Sequence, residues 1–200
     1  MLNEGLTGVQ NNQDGQVAKA RMGKQGDQLS SELHGRYYEH TYRQSGFSLQ
    51  TQGTATTTTA ALATTWTGLG VANPAGSGVN LVLMKVSVCQ FAVGAAATIG
   101  IMGGVGVITS TLTPQSRIIG GGQVSKMNGS AGATISTPVL ISTFASVGSV
   151  ATTSIPLIAG AFYDFEGSVI VPPGSFIASY TSIVTTSALQ FGFFWEEVPI

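Results

Sequence analysis

Apolar and polar residues alternate along the second half of the chain in short runs punctuated by glycine and proline. In Leu81 to Phe91, Val82, Met84, Val86 and Val88 fall on one face and Lys85 and Ser87 on the other, the period of a half-buried strand. Near the C-terminus Leu189, Phe191 and Phe193 share one face, and Gln190 and Phe194 the other. A strand this aromatic is expected in the middle of a sheet, because an exposed apolar edge invites association. Strands are predicted at 79–91, 96–102, 105–111, 115–119, 138–144, 155–163, 167–171, 175–183 and 188–198. Turn signals such as Gly120-Gly121-Gly122, Asn128-Gly129 and Pro172-Pro173-Gly174 separate them. No stretch carries the long 3.6-residue period of a packed helix, so the expected fold is all-β, a sandwich or barrel.

The first part of the chain reads differently. Residues 1–50 form an extended or partly helical polar N-terminal arm: 1–28 are rich in Gly, Gln and Asn, and 29–48 set Leu29, Leu33, Tyr37, Tyr38, Tyr42 and Phe47 among charges. The four-residue spacing of Leu29, Leu33 and Tyr37 allows a short helix, which Gly35 weakens. An arm pinned by its aromatic side chains fits equally well. Residues 51–72 include Thr56-Thr57-Thr58-Thr59 and lack an alternating apolar face, as expected of a linker or edge segment. The turn cluster Asn73-Pro74-Ala75-Gly76-Ser77-Gly78 opens the expected β-sandwich domain, 73–200.

Charge sharpens this division. The chain has 200 residues, 8% of them charged and 27 of them glycine. Glu4, Asp14, Lys19, Arg21, Lys24, Asp27, Glu32, Arg36, Glu39 and Arg43 precede residue 44, whereas only Lys85, Arg117, Lys126, Asp164, Glu166, Glu196 and Glu197 follow it. A free monomer usually carries more surface charge than this, because charge confers solubility and discourages association; a soluble monomer solvated by its Ser, Thr, Asn and Gln is the alternative. The expectation is a body whose neutral surface is covered by sister subunits, another protein or lipid. A hydrophobic content of 43% is enough for a core, which argues against disorder. The single Cys89 excludes a disulfide scaffold. A net charge of −1 without clustered Lys and Arg argues against nucleic acid as a partner.

The start, Met1 to Gly5, lacks a basic stretch followed by an apolar core, so no signal peptide is expected. Val86 to Ile108 is free of charge and includes a Gly100/Gly104 pair, which on length alone would span a bilayer. Its strand-like alternation and five glycines argue against that, leaving membrane insertion a rival reading. No HExxH, paired cysteines, GxSxG or phosphate-binding loop occurs, so no catalytic residue, metal ligand or cofactor is expected, and the protein is read as not an enzyme. His34 and His40 lie on the arm, Cys89 reads as a small buried hydrophobe, and Asp164 and Glu166 as a solvated edge.

Two stretches carry a resemblance. Leu33-His34-Gly35-Arg36-Tyr37-Tyr38-Glu39 with Tyr42-Arg43-Gln44-Ser45-Gly46-Phe47 is similar to the N-terminal segment of small structural proteins of tailed bacteriophages. Gly68 to Gly78, leading into Asn80-Leu81-Val82-Leu83, resembles the entry to their β-domain, and Val171-Pro172-Pro173-Gly174-Ser175 looks like a turn of jelly-roll trimers. The resemblance implies a jelly-roll-like sandwich and a virion location on the capsid surface. The role it implies is that of a capsid cement (decoration) protein, with a head fibre or tail receptor-binding protein as alternative. Self-association as a homotrimer and docking to a major capsid protein would follow, with Leu33, His34, Arg36, Tyr37, Tyr38, Tyr42, Arg43 and Phe47 as the arm's contact residues.

Overall fold

A computed structural model describes residues 35–51, 56–58, 62, 65–90, 95–147, 161–183 and 185–200. The chain divides into two compact units, Met1–Glu39 and His40–Ile200. Its elements are α1 (Tyr38–Tyr42), β1 (Gly46–Gln50), β2 (Thr56–Thr58), β3 (Thr65–Asn73), β4 (Val79–Gln90), β5 (Ala97–Val105), β6 (Gln115–Ser116), β7 (Asn128–Ser136), β8 (Val139–Val147), β9 (Ala161–Val171), β10 (Ser175–Thr181) and β11 (Thr185–Pro199). The strands make two antiparallel sheets packed as a sandwich. The first runs β6-β1-β11-β4-β9, with β2 also on β11, and the second runs β7-β3-β10-β5-β8.

The period-2 alternation of the long strands builds the core. Leu49, Leu81, Val86, Phe191, Phe193 and Trp195 face inward from the first sheet, and Leu69, Val71, Ile99, Ile101 and Ile177 meet them from the second. Each large side chain buried this way stabilises the fold by roughly 1.5–3 kcal/mol relative to leaving it in water. A second buried cluster, Ala72, Met102, Phe176, Ala178 and Tyr180 with Ile108 and Ile135, takes alternate positions along the second sheet. Strand β10 is therefore buried from Phe176 to Thr181 without a break, which explains its lack of polar alternation. As expected, β11 is central, paired with β1 on one side and β4 on the other.

Several expectations need correction. The sandwich starts before residue 73: β1, within the expected arm, pairs with β11, and β3, within the expected linker, lies between β7 and β10. Gly68 and Gly70 hide the alternation of β3 in the sequence, yet Leu69 and Val71 are fully buried. The Asn128-Gly129 turn signal instead begins strand β7, hydrogen-bonded along β3. A bulge breaks the single apolar face expected for β4. Phe194 and Trp195 pair with Lys85 and Leu83, skipping Met84, so Leu81 and Leu83 face inward before the bulge and Val86 and Val88 after it. The expected break between 163 and 167 is a kink within β9, where Glu166 (φ 51°) and Gly167 (φ 80°) take the left-handed conformation. Residues 155–160 of the expected strand 155–163 lie outside the described residues. The window 86–108 holds parts of β4 and β5, which belong to different sheets. Among the described residues no helix is long and apolar enough to cross a membrane.

Candidate association surface

The residues expected to contact a partner are placed in different surroundings. Leu33 and His34 lie outside the described residues. Arg36 stacks over the Tyr37 ring, 5.6 Å from its centroid, and the Tyr38 amide closes a turn on the Gly35 carbonyl. Tyr42 and Arg43 are exposed. Phe47 is not a contact residue: it is 2% exposed and packs in the core beside Trp195, ring centroids 6.3 Å apart. Its place in β1 decides this, because β1's pairing with β11 turns Phe47 and Leu49 inward.

The stretch from His40 to Gly46 is anchored to the first sheet. The Ser45 amide donates to the His40 carbonyl and the Gln44 amide to the Thr41 carbonyl, with Gln44 at φ 61°. This pair of bonds terminates α1 as a Schellman motif, with Gln44 where glycine is usual. Ser45 Oγ donates to Glu196 Oε1 (3.1 Å), and the Glu197 amide donates to the Ser45 carbonyl. The His40 ring occupies the space above Gly46, where an added Cβ would come within 2.7 Å of its Cδ2. Arg117 completes the cluster, its guanidinium 4.8 Å from the Phe194 ring centroid. Burial pushes the His40 pKa below its usual value; the Glu196 carboxylate opposes that shift and Arg117 adds to it.

Glu197 is almost fully buried and accepts from Ser125 Oγ, the Lys126 amide and Trp195 Nε1, tying the loop before β7 to β11. A cavity of about 400 Å3 beside it is lined by residues including Arg43, Ser45, Lys126 and Glu196. These groups form a structural network in which the acidic side chains accept from neighbouring hydroxyls and amides. Asp164 and Glu166 are engaged similarly: Asp164 ion-pairs with Lys85 (3.8 Å) and accepts from the Glu166 amide. Cys89 is half-buried on the outward face of β4, not in the core.

The neutral body has an exposed apolar border. The strands of the second sheet contain no charged residue. Burial on both faces accounts for this along β10 but not along β8. Among the described residues β8 pairs with β5 alone and β9 with β4 alone, so the two border the sandwich on the same side. In β8, Val139, Leu140 and Ile141 are all exposed, Val139 at 62%. Val105 (85%) and Ile170 (56%) extend the patch, and a groove of about 260 Å3 runs between the sheets beside Ile141 and Ile170. Farther along β8, Phe144 turns in against Tyr163 and Phe165 and closes the sandwich. Natural edge strands usually carry lysine, proline or a protective bulge against pairing with other chains; β8 follows Pro138 and bulges at Ile141 and Phe144, but charge is missing over the whole interval between Lys126 and Asp164. That charge gap was the readable signal for this border, although the sequence did not reveal which strand lay at the edge. No protein-family model, curated protein or solved structure matches the chain.

Proposed function

We propose that this is a non-enzymatic structural protein of a tailed-bacteriophage virion, a capsid cement protein. Its β-domain is a jelly roll that self-associates as a homotrimer on the capsid surface, and its N-terminal segment docks to the major capsid protein. The observation that carries the reading is the uncharged, apolar border along β8, which another copy would cover. The jelly-roll assignment is supported by strand order. The β1-β11-β4-β9 and β3-β10-β5-β8 sets alternate between sheets along the chain, except at the β5–β8 step, as two interlocked Greek keys require. Tyr37, Tyr38 and Tyr42, with Arg36 and Arg43, remain the contacts proposed for the capsid; Phe47 does not.

Sedimentation of the intact chain at micromolar concentration tests the assembly, with a trimer expected and a stable monomer overturning it. Capsid docking is tested with a chain lacking residues 1–43, which removes Arg36, Tyr37, Tyr38, Tyr42 and Arg43. This deletion stops short of β1 and so leaves Phe47 and the first sheet intact. The shortened chain is expected to remain an oligomer but fail to bind capsids; undiminished capsid binding would refute the docking role.

A further inference from the structure

We propose that the outer face of the first sheet binds a neutral saccharide, at a site that crosses β1, β11, β4 and β9. Strand register places Gln50, Gly192, Ser87 and Phe162 in one transverse row. The side chains of Ser87 and Gln50 lean over Gly192, which is buried between them. Gly192 cannot be enlarged without shifting its neighbours, because an added Cβ would lie 2.4 Å from Ser87 Oγ and 3.0 Å from Gln50 Cγ. A cavity of about 170 Å3 lies beside this row, lined by residues including Gln50, Ser87, Val88, Phe162, Gln190 and Phe191.

The lining chemistry selects the ligand. Phe162 is 68% exposed and offers an apolar ring face, with Phe194 6.3 Å away between centroids. The axial C–H groups of a pyranose stack on such a face. Gln50, Gln190 and Ser87 each both donate and accept hydrogen bonds, as sugar hydroxyls do, while Thr51 is buried with its hydroxyl donating to the Phe191 carbonyl. No lining residue is charged, and the nearest ion pair, Lys85–Asp164 in the adjacent row, is internally balanced. A nucleic acid or acidic glycan would find no cation in the lining. An extended peptide would find no open ladder on β11 or β4, because both are paired on each side. The site stands whether or not copies associate through β8.

The test uses the intact chain and saturation-transfer NMR with glucose, galactose, mannose and N-acetylglucosamine, with N-acetylneuraminic acid as the charged comparison. An array of immobilised oligosaccharides distinguishes a free sugar from a polymer as the source. Binding of at least one neutral hexose is expected, weakened about tenfold or more by Phe162→Ala and by Gln50→Ala. Because Phe162 is exposed, Phe162→Ala should retain the parent melting temperature, which separates lost binding from lost folding. Three results would overturn the proposal: no neutral sugar bound at millimolar concentration, binding indifferent to Phe162→Ala, or preference for the sialic acid.

Discussion

The first sheet holds Lys85, Asp164, Glu166, Glu196 and Glu197 in its strands, whereas the strands of the second hold no charged residue. The cause differs along the second sheet. Strand β10 is buried on both faces and excludes charge for the ordinary reason that an unpaired ion in the interior is costly. Strand β8 turns Phe144 inward but exposes Val139, Leu140 and Ile141, whose lack of charge is not explained by burial. In the first sheet the ionic groups are used locally: Glu197 holds a loop, Lys85 meets Asp164, and Glu196 lies near His40 and Arg117. The first sheet thus engages its ionic groups within the chain, and the second leaves an apolar border unaccounted for.

The largest expected effect comes from placing charge on that border. Ile141→Glu would place an unpaired charge in the proposed apolar contact between copies and weaken self-association about 100-fold or more, read by sedimentation velocity. Gln190→Glu, on the outward face of the first sheet, should leave the oligomer unchanged. Equal effects of the two substitutions would erase the distinction between the sheets. Next in size, Trp195→Ala removes a fully buried ring and should cost about 3–5 kcal/mol in urea unfolding, against about 0.5 kcal/mol or less for exposed Phe162→Ala.

The smallest effect is a pH dependence set by His40 of α1, whose ring packs on Gly46 of the first sheet. The folded pKa of His40 lies below the unfolded one, so the unfolded chain binds more protons between the two values and stability rises with pH there. Stability is therefore complete above the unfolded value of about 6.5 and declines as pH falls through the lowered folded value. His40→Gln should flatten the melting temperature between pH 7 and 5. If the slope is unchanged, another group is responsible.

Some of this architecture was legible in residue order. Alternating Leu189, Phe191 and Phe193 marked β11 as a central strand, and the charge gap marked a body with neutral surface. Phe47 was misjudged because, read among its charged neighbours, it looks like an arm anchor; only its pairing opposite Trp195 makes it core. Asn128-Gly129 reads as a turn on local chemistry, yet the β3 ladder holds it extended. The bulge at Met84 was illegible because it is a mismatch between partner strands. The groups proposed to hold a saccharide were hidden for a related reason: Gln50, Ser87, Phe162 and Gln190 lie far apart in the chain and become neighbours only through register.

Residue order by itself determined the strand-rich character and the inward phase of β11, because alternation depends only on each strand's own side chains. It also determined that charge would be concentrated near the N-terminus. Only the tertiary structure decided which strands became interior and which became edges, and which residues met across the sheets. Those outcomes depend on pairing between segments as distant as Gly46 and Glu196, where backbone hydrogen bonds and mutual burial select one register among many that the local pattern permits.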